Sequence, residues 1–173
     1  MIDFLPAFCS ARVLVLGVGN MLFGDDGFGP EVARWLSDHY IIPADLYVMD
    51  VGTGVRKLLF TLALSESRPE EIIIVDAVDW AQAPGSVVEI SAESLPVTKI
   101  DDFSLHQVPT SNLLRELQER CGVKVSVVAC DVGVVPQEIS PGLSTATLDA
   151  VVLAGQKIAS RLSLIPKALE TQR

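Results

Sequence analysis

The chain has 173 residues, 49% of them apolar, and its 22 acidic and 13 basic side chains leave a formal charge of -9. That length fits one domain, taken as 1–173 with a core at about 12–163 and a polar C-terminal tail, and the apolar content excludes a disordered chain. The negative charge repels polyanions, so neither nucleic acid nor a phospholipid surface is an expected partner.

Residues 12–18 (RVLVLGV) are predicted as a buried strand, and residues 28–40 as a helix with Phe28, Val32, Trp35 and Leu36 on one face. LYVMD (46–50) reads as a second strand, GTG (52–54) as its turn and residues 55–64 as a helix. IIIVDAV (72–78) is the strongest strand pattern, apolar and β-branched as a central parallel strand should be. Pro84 and Gly85 make a turn before a further strand, SVVEI (86–90), and residues 91–106 are irregular. A helix is expected at about 109–120, with Pro109 suited to its first turn, followed by a strand over 124–133 (KVSVVACDVG). After the loop QEISPGLS, a last helix is marked by Leu148, Val151, Val152, Ala159 and Leu162, with Gly155 on the same face allowing close packing. The tail beyond Ile165 is polar.

Strands alternate with helices, so the class is α/β with a largely parallel sheet. No apolar run reaches the roughly 18 residues a bilayer span needs. The N-terminus, MIDFLPAFCSA, carries Asp3 and Pro6 inside its apolar part and makes a poor secretory signal. Cys9, Cys121 and Cys130 form no CxxC, and an odd count without a signal points to reduced thiols in a cytoplasm.

Ligands of such sheets sit outside the carboxyl ends of the strands. Four features fall there: the loop GVGNMLFGDDGFGP (17–30), Asp50, Asp76 and the loop after Gly133. The first resembles a dinucleotide-binding turn, but Leu22 stands where the third glycine belongs, and Asp25 and Asp26 would face a pyrophosphate with no cation between. A P-loop lysine is absent, as are HExxH and GxSxG. The glycines alone serve backbone geometry equally well, and Asp26 would suit the cap of the following helix. Asp76 lies inside a run apolar enough to be buried, where a charge is costly unless paired or bound to a cation. Asp26 and Asp76 at neighbouring strand ends therefore call for something positive between them. Of the two histidines, His39 closes the first helix, whereas His106 (in DFSLHQVPT) opens a helix near those strand ends. An oxygen, oxygen, nitrogen set suits a borderline divalent ion such as nickel or zinc. Cys121 at a helix end and Cys130 in an apolar strand read as structural.

LVLGVGNMLFGDDGFGP, MDVGTG, IIIVDAVD followed by PGSV, and SLHQVPTSNLLREL stand in one order over about residues 12–160. Together they resemble the NiFe-hydrogenase maturation endopeptidases. The resemblance implies a three-layer α/β sandwich with a mainly parallel, about five-stranded twisted sheet flanked by helices. It matches the family's metal-binding positions to Asp26, Asp76 and His106, with Asp26 where many members carry glutamate. It matches the family's DGGT-like turn to Asp50, Val51, Gly52 and Thr53, with Val51 replacing a frequent glycine. It further implies removal of a short C-terminal extension from the precursor of a hydrogenase large subunit after nickel insertion. The nickel would belong to the precursor, with no permanently bound metal in the enzyme. Asp26, Asp76 and His106 would read that nickel; the metal would polarise the carbonyl or activate a water, and Asp50 would orient the site or act as base. SLHQ and GDDG lie nearer the members serving group 3 and group 4 hydrogenases, including the deazaflavin-coenzyme-reducing enzymes. A monomer is expected. The alternatives are a catalytically silent nickel-sensing chaperone of the same fold, a nucleotide-binding α/β module and a general metallopeptidase.

Overall fold

The computed structural model describes residues 7–80, 82–91, 110–133 and 135–167. A short 3-10 turn at Ala7–Ser10 precedes β1 (Val13–Val18), and a second at Gly24–Gly27 leads into α1 (Phe28–His39). There follow β2 (Tyr40–Ile41), β3 (Leu46–Gly52), α2 (Val55–Leu64), β4 (Glu71–Val78), β5 (Val87–Ser91), α3 (Thr110–Cys121), β6 (Lys124–Asp131), α4 (Thr145–Arg161) and β7 (Ile165–Pro166). The expected elements are present with ends moved by a residue or two. The expected irregular stretch is described only at Ser91, and Pro109 lies outside the described residues.

The sheet order is β3-β1-β4-β6-β5. β3, β1, β4 and β6 run parallel, while β5 closes the edge antiparallel to β6. This is the three-layer, mainly parallel five-stranded sandwich expected. A small antiparallel pairing of β2 with β7, tying the end of α1 to the chain beyond α4, was not anticipated.

Alternation along the strands divides the core into two. On one face Leu14, Leu16, Val18, Ile72, Ile74, Val78, Val125 and Val127 pack under α2 and α3 through Leu59, Leu62, Leu114 and Leu117. On the other, Val13, Val15, Ile73, Val75, Val128 and Cys130 pack under α1 and α4 through Phe28, Val32, Leu36, Ala154 and Ile158. The central strands are apolar on both faces because both are covered. α1 lies close on the sheet because Gly17 and Gly29 face each other. A Cβ on Gly29 would come within 2.3 Å of the carbonyl oxygens of both Val18 and Val75.

The last helix departs from expectation. Its buried stripe is Thr147, Ala150, Val151, Ala154, Gly155, Ile158 and Ala159. Leu148 and Val152, two of the residues that mark the helix in the sequence, lie off that stripe and are 48% and 39% exposed. Gly155 does allow close packing: a Cβ there would meet the Trp35 ring at 2.2 Å.

Candidate active site

β1 feeds α1 on one face of the sheet, while β3 feeds α2 on the other and reaches β4 on the far side of β1. The carboxyl ends of β1 and β4 therefore flank a topological switch point, where open α/β sheets take their ligands. Two acids stand at it. Asp26 sits in the 3-10 turn after β1, which packs on β4, and is 2% exposed. Asp76 lies in β4 paired with Ala129 of β6, is 3% exposed, and alternates with Ile72, Ile74 and Val78 onto the face covered by α2 and α3.

Asp26 is held from within its own loop. Its Oδ2 accepts the backbone N–H of Asn20 at 2.8 Å. Gly19, at φ 138°, lets the chain turn over it, since a Cβ there would stand 1.9 Å from the Asp26 carbonyl oxygen. Asp26 does not cap α1: the N-cap is Gly27, and no side chain bonds the helix start. Its neighbour instead supports the cap of a different helix. Asp25 accepts the N–H of Ser144 at 2.6 Å and its hydroxyl at 2.8 Å, and Ser144 caps α4 by accepting from Thr147 N–H. A backbone pair, Gly24 N–H to Ser140 carbonyl at 2.9 Å and Ser140 N–H to Leu22 carbonyl at 2.8 Å, ties the same two loops together.

Asp50 is exposed two residues before the end of β3, and its Oδ1 accepts the Gly52 N–H at 2.9 Å. The register with β1 shifts here: Gly17 pairs with Asp50 and Val18 with Gly52, so Val51 is the bulged residue. Gly52 takes the positive φ, 52°, while Val51 does not, so a β-branched side chain is tolerated at the bulge. Asp50, Gly52 and Thr53 line one side of a cleft of about 320 Å³, with Gly19, Asn20, Met21 and Pro30 opposite. His106 lies outside the described residues, four positions before α3. α3 passes into the start of β6 through residues 122–123, so its first turn belongs at the carboxyl end of the sheet. Among the described residues no three His, Cys, Asp or Glu side chains gather to hold a metal.

Sequence reasoning missed two groups. Asn20 anchors Asp26. Asp131, 3% exposed at the end of β6, accepts the N–H groups of Trp80 and Gln82, each at 3.0 Å, and so fixes the segment following Asp76. An acid inside VVACDV is as unusual as the one inside IIIVDAV, and that was the available signal. Cys130 is structural, as expected. Burial, then the charges of Asp25 and Asp131, push its thiol up to about 12, far from a nucleophilic thiolate.

A family model described as hydrogenase maturation protease (HycI) matches residues 30–161. The chain belongs to the hydrogenase maturation protease family. This protease is 36% identical over 140 residues to a provisionally named hydrogenase maturation protease of Methanocaldococcus jannaschii, covering 80% of this chain and 88% of that one. It is 31% identical to the hydrogenase 2 maturation protease of Escherichia coli, over 82% and 84% of the two chains. The solved structure of the Escherichia coli hydrogenase maturating endopeptidase HybD superposes with a TM-score of 0.72 at 28% identity, over 90% of this protease and 98% of that chain. The protease is thus an endopeptidase, a hydrolase of peptide bonds, and no helix among its described residues is long and apolar enough to cross a membrane.

Proposed function

We propose that this protease removes a short C-terminal extension from the nickel-loaded precursor of a NiFe-hydrogenase large subunit, acting as a cytoplasmic monomer. The observation that carries the reading is the burial of Asp26 and Asp76 on adjoining elements at the switch point. Two carboxylates at one switch point can offer oxygen ligands to a cation. In this reading the cation arrives with the substrate. Asp26, Asp76 and His106 contact the precursor's nickel and set the scissile bond beside it, which suits carboxylate and imidazole ligands. Asp50, on the wall of the cleft, orients the bond or takes a proton from the attacking water. An enzyme built this way needs no activated cysteine, in keeping with the inert thiol of Cys130.

The precursor we assign is that of a group 3 or group 4 hydrogenase, a coenzyme-reducing enzyme among the choices. The 35% identity over 133 residues to the coenzyme F420 hydrogenase subunit delta of Methanothermobacter thermautotrophicus supports that assignment.

The test is processing of nickel-loaded precursor by Asp26→Ala, Asp76→Ala and His106→Ala. Each should lose about 100-fold or more in rate while keeping its fold by circular dichroism. Wild-type rates for all three would sink the proposal. A wild-type protein that binds the precursor without cutting it would show the nickel-sensing chaperone instead.

A further inference from the structure

We propose that the cleft continues into a second subsite, an apolar groove beyond Met21, which binds an aliphatic side chain of the precursor's C-terminal segment next to the scissile bond. This deepens the function proposed above and rests on it.

Met21 lines two cavities. One is the polar cleft of Asp50 and Asn20. The other is a groove of about 220 Å³ lined by Met21, Gly27, Glu31, Gly142, Leu143 and Leu148. The two cavities adjoin at this side chain, and in the proposal a peptide lying in the first passes over Met21 into the second. A Cβ on Gly27 would stand 3.1 Å from Met21 Cα and 3.5 Å from Leu143 Cδ2, so glycine keeps the space open.

The lining selects an apolar occupant. Its single charged member among the described residues, Glu31, is already paired with the Arg34 guanidinium. Two of its lining residues are aliphatic side chains that the core does not claim, Met21 at 49% and Leu148 at 48% exposed. An extended peptide carrying one or two aliphatic side chains covers them. Among its described residues the groove offers no cation for a phosphate, so a nucleotide is a poor occupant. The groove walls are also built in advance. The loop of Met21 and Gly27 is bound to the loop of Gly142 and Leu143 by the Phe23–Ser140 bridge and by Asp25 on Ser144. A preformed groove lowers the ordering cost of binding a flexible tail. It also links recognition to catalysis, because the same loop carries Asp26.

The experiment measures processing kinetics of the nickel-loaded precursor with wild-type protease and with Leu148→Ser. That substitution falls on an exposed face of α4, and thermal melting checks that the fold is kept. The expected result is a KM raised about ten-fold with kcat within about two-fold, the size of effect a lost apolar side-chain contact gives. Replacing the residues beside the precursor's cut site by serine should raise KM for the wild type and add little for Leu148→Ser. An unchanged KM in the variant overturns the subsite while leaving the proposed function intact. Should the wild type fail to cut, the proposed function falls. Direct titration of the precursor then decides the subsite: a Kd weakened by Leu148→Ser keeps it, and equal affinity or none removes it.

Discussion

Asp25 grips Ser144 with both carboxylate oxygens, while Asp26, next along the chain, turns into the protein against Asn20. One acid builds the site and the other is placed by it. The same division recurs at Asp131, whose carboxylate holds the Trp80 and Gln82 amides. Asp131→Ala would leave those amides without their acceptor and should lower stability by about 1–3 kcal/mol in urea unfolding. Asp131→Asn, whose carbonyl can still accept, should lose less, and equal losses would refute the hydrogen-bonding role. Cys130 gives a pH prediction. Its folded pKa, about 12, lies above the ordinary value of 9.0, so the neutral thiol is favoured by folding. The stability this represents is complete below pH 9 and is lost as pH rises from there towards 12, because the unfolded chain releases the proton first. Cys130→Ala should flatten that alkaline decline, and at pH 8 a thiol reagent should label the half-buried Cys121 well ahead of Cys9 and Cys130. At this scale the sequence was legible where a residue broke its local pattern. Asp76 stood out as an acid in an apolar run. Asn20 and Ser144 did not, because their partners lie across loops that only the folded chain brings together.

The elements most exposed in the sequence were the strands, whose apolar runs reflect coverage on both faces. Helix faces were less legible. Leu148 and Val152 have the spacing of a core stripe, but α4 rests on α1 through Ala150, Ala154 and Gly155, and this rotates both larger residues outward. Periodicity cannot tell a stripe of large side chains from a neighbouring stripe of small ones that permits closer approach. The contact makes a prediction against propensity. In an isolated helix Gly155→Ala would gain about 1 kcal/mol. Here the added methyl meets Trp35 at 2.2 Å, so the variant should instead be destabilised by about 1–3 kcal/mol in urea unfolding. A more stable variant would mean that α1 and α4 separate more easily than their packing implies. The pairing of β2 with β7 had no sequence signal, since two-residue strands carry no period.

On the scale of the whole molecule, the strand order β3-β1-β4-β6-β5 brings together elements that carry acids distant in sequence. Asp26 and Asp76 are 50 positions apart, and what joins them is the passage of the chain from one side of β1 to the other. That connection is not written in composition or spacing. It became readable because the motif order resembled a family whose fold supplies it, and the family match over residues 30–161 and the shared architecture bear the resemblance out. The match begins after Asp26, so the acid central to the proposed site rests on the loop geometry described above.

The central claim is that these carboxylates read nickel in a substrate. It is tested most directly by mass spectrometry of a hydrogenase large-subunit precursor from the same genome, nickel-loaded and nickel-free, before and after incubation with the protease. The expected result is loss of a short C-terminal peptide from the loaded precursor alone. Equal cleavage of both forms would contradict it, as would an unchanged mass in a precursor confirmed to carry nickel.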